Sequence, residues 1–87
     1  MSNSITKGNS FELLGAELRR LRMSQFFMQR EFSRLLRIHR STYNGWETGR
    51  RFPSPEGMRK VLEYYKEKGV DTSILERLYV DADLSRG

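Results

Sequence analysis

The chain has 87 residues and a net charge of +5, which allows one domain and no second core. It has no cysteine, so disulfides and thiolate metal sites are excluded and a reducing cytoplasm is the expected location. No apolar run approaches the roughly 18–20 residues that a membrane span needs. The charge is one-sided: Met1 to Phe52 holds ten Lys/Arg against four Asp/Glu, and Pro53 to Gly87 six against seven. Nine of those first ten are arginines, the side chain best shaped to fork onto phosphates and guanine edges, so the first part reads as an electrostatic footprint for a polyanion.

In chain order, residues 1–10 are polar, lack the apolar centre of a signal peptide, and read as a flexible arm. Phe11, Leu14, Leu18 and Leu21 recur at helical spacing, with Asn9 or Ser10 as the cap and Asn9–Glu12 at capping-box spacing. Phe26 and Phe27, between helices, are expected to plug the core, with a partner site as the alternative. Phe32, Leu35 and Leu36 form the stripe of a second helix, Gln29 to Leu36. A third, Arg40 to Thr48, turns Tyr43 and Trp46 inward and Arg40, Ser41, Asn44 and Gly45 outward; Gly49 ends it. Gly45 in mid-helix costs about 1 kcal/mol against alanine, which suits either a close approach to a groove wall or tight packing. Ser54 caps a fourth helix with Pro55 in its first turn, with Met58, Val61, Leu62 and Tyr65 inside and Gly69 at its end. Asp71 or Thr72 caps a fifth, carrying Ile74, Leu75, Leu78 and Tyr79. Residues 81–87 read as a flexible tail with little to bury. Tyr64, Tyr65 and Tyr79 are too many for so small a core, so some are expected at a dimer surface.

The fold class is therefore all-α, and two short helices with a tight join, the second followed by Gly and basic residues, form a helix-turn-helix arrangement over about 29–48 within a domain of 11–80. Gly15-Ala-Glu-Leu18-Arg-Arg-Leu21-Arg22, Gln29-Arg-Glu-Phe32-Ser33 and the run from Ser41 to Ser54, with Trp46-Glu47, Gly49 and Pro53, resemble the phage repressor/Cro-type helix-turn-helix family, also called the XRE family. Ser24-Gln25 mimics the motif's opening pair in a register that would misplace Trp46, Glu47 and Gly49.

The resemblance implies a five-helix bundle that places its third helix in the DNA major groove. Arg40, Ser41, Asn44 and Gly45 would reach base edges, Arg40 foremost because arginine forks onto guanine O6 and N7. Gln29 would touch a phosphate, with Thr42, Thr48, Arg50 and Arg51 as further backbone contacts; His39, read on its own, either fills the turn or adds another backbone contact. Arg22 and Glu47 would form a structural ion pair, and Ser33 would let the two motif helices approach. The chain departs from the pattern at Met28, which cannot cap; at Arg37, where the turn usually has glycine; at His39, where Ser or Thr usually caps; and at Tyr43. No nucleophile–base pair, carboxylate cluster or glycine-rich phosphate loop supports catalysis, and no cofactor or metal is expected, His39 being the sole histidine. The expected function is a double-stranded-DNA-binding transcriptional regulator, a repressor acting as a homodimer on an inverted repeat. The alternatives are an antitoxin-like protein that binds a protein partner through the same fold, and a non-specific nucleic-acid binder.

Overall fold

The structure, a computed structural model, describes residues 10–86. It is five helices with no strand among those residues: α1 (Ser10–Ser24), α2 (Gln29–Leu36), α3 (Arg40–Thr48), α4 (Pro55–Glu67) and α5 (Ser73–Arg86). The expected arm lies outside the described residues apart from Ser10, which opens α1, and so does the Asn9 cap. α1 packs against α3 and α5, and α2 packs against α3.

Four helices end in the same way. A residue at or just past the helix end takes a left-handed conformation, and its N–H, with that of the next residue, turns back onto the last carbonyls. At α3 and α4 this residue is Gly49 (φ 80°) and Gly69 (φ 75°), where no Cβ resists it. At α1 and α2 it is Phe26 (φ 64°) and Arg37 (φ 60°), each at a cost of about 1–2 kcal/mol. Phe27 N–H then donates to Arg22 O (3.2 Å) and Ile38 N–H to Ser33 O (2.9 Å). This geometry corrects the reading of Phe26 as a core plug. The left-handed residue is thrown outward, and Phe26 is 92% exposed while Phe27 turns in.

The core draws on every helix: Leu14, Leu18 and Leu21 from α1, Phe32 and Leu36 from α2, Tyr43 and Trp46 from α3, Met58, Val61 and Tyr65 from α4, and Leu75 and Ala82 from α5. Phe32 is its hub, with ring centroids 5.3–5.6 Å from those of Phe27, Tyr43, Tyr64 and Tyr65. A second aromatic group, Phe11, Phe52 and Tyr79, closes the far side, with the Arg86 guanidinium 4.2 Å from the Phe52 ring. Tyr65 is thus fully buried and Tyr64 and Tyr79 half-buried, so none of the three is the exposed tyrosine expected at a dimer surface. The apolar residues α5 does expose are Ile74, Val80 and Leu84; Ile74 had been expected inside.

The stretch 81–87 read as a tail is helical as far as Arg86. Ala82 lies two turns beyond Leu75, on the same face, and is buried against the core. That contact and the Arg86–Phe52 stack hold the last turns of α5 in place.

Candidate nucleic-acid interface

α2 begins without a side-chain cap. Met28 is extended (φ −84°, ψ 159°), and its own N–H donates to Glu31 Oε1 at 2.9 Å. The first N–H groups of α2 accordingly face outward with the positive end of the helix dipole, a ready site for a phosphate oxygen. α3 begins at His39, whose Nδ1 accepts from the Ser41 N–H (3.3 Å) and lies 2.9 Å from Ser41 Oγ. The capping oxygen of the usual Ser or Thr is therefore replaced by an imidazole nitrogen in the tautomer unprotonated at Nδ1.

α3 has only nine residues, too few to be stable alone, so its direction is set by what it packs on. Tyr43 stands edge-on to Phe32, and Trp46 edge-on to Tyr43. Two glycines let the backbones close in. A Cβ on Gly15 would collide with the carbonyls of Glu47 and Trp46, and one on Gly57 with the Trp46 ring. Ser33, buried, donates its hydroxyl to Arg30 O and leaves room between the motif helices.

A buried polar network ties α1, α2 and α3. Arg22 Nε donates to Glu47 Oε2 (2.7 Å) and Nη2 to Oε1 (3.0 Å), while Nη1 donates to Phe27 O (2.7 Å). Gln29 Nε2 donates to the same Oε1 (2.9 Å). Burial pushes the Glu47 carboxyl up, but the hydrogen bonds from Arg22 and Gln29 outweigh it and the net shift is down. The partner guanidinium is correspondingly raised, chiefly by its bond to Glu47. The Tyr43 and Tyr65 hydroxyls are buried beside this network without a well-formed hydrogen bond among the described residues, the Tyr43 hydroxyl lying near the Glu47 carboxylate, and burial, with the Glu47 charge second, raises both.

On the opposite face of α3 lie Ser41, Asn44, Gly45 and Thr48, with Arg40 at its start. Arg40 and Ser41 are exposed and Thr42 and Asn44 half-buried. Gln29 and Arg40 stand where two shallow grooves, of about 680 and 400 Å³, adjoin. Two expected contacts are already engaged. The Gln29 amide nitrogen is held by Glu47, and the Thr48 hydroxyl donates to Asn44 O and Gly45 O (3.1 and 3.2 Å) and accepts from Arg50 Nε (3.3 Å). Gly45 is buried despite its outward position, because the Arg51 side chain lies across it.

The charge asymmetry has a structural counterpart. Arg19, Arg30, Arg34, Arg37, Arg40, Arg50 and Arg51 are all exposed, and none has an acidic partner among the described residues. Of the six basic residues from Pro53 onward, Arg59, Lys66 and Arg86 are each paired with a carboxylate and Lys60, Lys68 and Arg77 are not. Sequence reasoning placed Phe26 in the core, with a partner site only as the alternative, and did not join Met23 and Met28 to it. Met23, Phe26 and Met28 form an exposed apolar group in the larger groove beside Gln29; the signal was two adjacent phenylalanines at a helix end, where only one can face inward.

No helix among the described residues is long and apolar enough to cross a membrane, and no group of metal-binding side chains is assembled among them. The family model of a helix-turn-helix domain matches residues 13–73. No curated protein and no solved structure matches the chain.

Proposed function

The chain belongs to the helix-turn-helix domain family, and from that premise we propose that it is a sequence-specific, double-stranded-DNA-binding transcriptional regulator of the phage repressor/Cro type. The observation that carries this reading is the face of α3. It presents Arg40, Ser41 and Asn44 outward, and Arg19, Arg30, Arg50 and Arg51, exposed and without acidic partners among the described residues, lie beside it. A protruding helix of polar and guanidinium groups fits the major groove, and unpaired arginines around it fit the phosphates on either side. Arg40 forks onto a guanine, with Ser41 and Asn44 reading adjacent edges. The α2 N-terminus, His39, Thr42, Thr48 and Arg50 meet the sugar–phosphate backbone. The chemistry is recognition, with no catalytic step and no cofactor, in the cytoplasm.

The finer proposal is a repressor bound as a homodimer to an inverted repeat. Val80 and Leu84, one turn apart on α5 and 54% and 75% exposed, supply apolar surface for such a pairing. Selection of bound duplexes from a random pool near physiological salt tests both levels. An inverted repeat with half-sites about one helical turn apart (~34 Å) is the expected product. Arg40→Ala should then weaken binding by about 1–3 kcal/mol and relax one base pair. Binding with a steep salt slope and no enriched sequence would replace this reading with non-specific attachment. A second reading, a protein partner seated on the fold as in antitoxin-like proteins, is favoured by the exposed Met23, Phe26 and Met28 group. Co-purification of a protein partner, lost in Phe26→Ser while duplex affinity is kept, would favour it, and no such partner would leave the first reading.

A further inference from the structure

We infer that Arg51 is a base-reading residue, carried onto the recognition face of α3 in the place where position 45 has no side chain. This rests on the DNA-binding reading above and changes the role expected of Arg51, from a clamp on the backbone to a determinant of sequence.

The positional argument comes first. At 100° per residue, Ser41, Gly45 and Thr48 lie along one stripe of α3, opposite the buried Tyr43 and Trp46. Residue 45 is therefore at the centre of the surface that would meet base edges. A glycine there offers nothing to read, yet Gly45 is buried. A Cβ at Gly45 would sit 2.8 Å from Arg51 Cδ, 2.9 Å from Cγ and 3.2 Å from Cβ. The whole aliphatic stem of Arg51 occupies the space that a side chain at 45 would take.

The backbone fixes this placement. Gly49, left-handed at φ 80°, reverses the chain. The N–H groups of Arg50 and Arg51 then both donate to Gly45 O, each at 3.0 Å. Residue 51 is pinned to the last turn of α3 at the carbonyl of the residue its side chain covers. Arg50 is directed differently, with its Nε on Thr48 Oγ1. The Arg51 guanidinium, beyond Cδ, has no acidic partner among the described residues and keeps its five N–H donors for a guanine edge.

The test compares wild-type protein with Arg51→Ala, Arg51→Lys, Gly45→Ala and Arg50→Ala. Each is titrated by fluorescence anisotropy against the selected duplex and against duplexes changed at one base pair at a time. Arg51→Ala should lower the preference at one base pair by about 5- to 100-fold and leave the others unchanged. Arg51→Lys keeps the charge and loses the fork, so it should retain most of the general affinity and lose the same preference. In Gly45→Ala the three atoms nearest the new methyl all belong to the Arg51 stem, so Arg51 is displaced and the preference at that base pair falls, with circular dichroism checking that the helix content is kept. Arg50→Ala should weaken all duplexes alike. If Arg51→Ala weakens every duplex by the same factor, or none, the inference is overturned while the DNA-binding reading stands. If the wild-type protein selects no sequence at all, both are overturned together.

Discussion

Replacing Glu47 with alanine should destabilise the protein by about 3–5 kcal/mol. The Glu47 side chain is 3% exposed and that of Arg22 10%. Glu47 accepts three hydrogen bonds, two from Arg22 and one from Gln29. Without it, the guanidinium of Arg22 stays buried with only the Phe27 carbonyl as partner. An arginine cannot shed its charge to relieve this. Removing Arg22 should cost less, because a stranded carboxyl can take up a proton. Against a total stability of roughly 5–15 kcal/mol, the Glu47→Ala loss is a large fraction of the whole. Urea unfolding followed by Trp46 fluorescence, with far-ultraviolet circular dichroism as a second probe, measures it. The double variant Arg22→Met/Glu47→Leu should recover much of the loss, since two apolar groups leave no charge unpaired. The pair also has an acid signature. The Glu47 carboxyl is lowered in the folded state, so its contribution is present above the ordinary glutamate value of about 4.3 and fades as pH falls through the lower, folded value. The stability gap between wild type and Glu47→Gln should therefore close in that acidic range. A Glu47→Ala loss below about 1 kcal/mol, the worth of an exposed pair, would refute the claim that this network holds the three helices.

Gly15→Ala should destabilise by about 1–3 kcal/mol despite the better helix propensity, because its methyl meets backbone carbonyls of α3 that cannot step aside; an unchanged urea midpoint would show that α1 and α3 are not so close. Tyr43→Phe should be neutral or stabilising, since the hydroxyl it removes is buried without a well-formed hydrogen bond, and a loss above about 1 kcal/mol would mean that the hydroxyl is hydrogen-bonded after all. Arg37→Gly and Phe26→Gly should each raise the melting temperature, by relief of up to about 1 kcal/mol of left-handed strain. A fall in both would contradict the left-handed helix ends.

The boundaries of α2 and α3 were legible because their signals are local: inward aromatic residues at helical spacing, a glycine after Thr48, and a polar, arginine-rich outer face. The Arg22–Glu47 pair was not legible that way. Its members are 25 residues apart, and only the family resemblance joined them. Phe26 was misread because apolarity says nothing of the backbone angle that decides which of two adjacent phenylalanines turns inward. α5 was read short because residues 81–87 show little to bury, whereas the end is held by Ala82, a small residue whose value depends on the distance to the facing helix, and by the Arg86–Phe52 contact. Gly45 kept two readings in the sequence. The choice between them lies in Arg51, six residues on and beyond a chain reversal.

The candidate site is thus continuous with the core. Glu47 belongs to the helix that would enter the groove, Arg22 to α1, and Gln29 to the first turn of α2, where a phosphate would bind. One carboxylate fixes the angle between the reading helix and the phosphate-facing helix end, although it reaches no ligand itself. A nine-residue helix gains little from its own hydrogen bonds, so its aim depends on such cross-links and on the close glycine contacts at Gly15 and Gly57. This explains why the most constrained positions lie behind the face of α3 while the face itself carries exposed, loosely engaged side chains. On the proposed reading, the scaffold would hold one geometry while Arg40, Ser41, Asn44 and Arg51 changed to suit a different sequence, so a change of specificity would not need to disturb the fold.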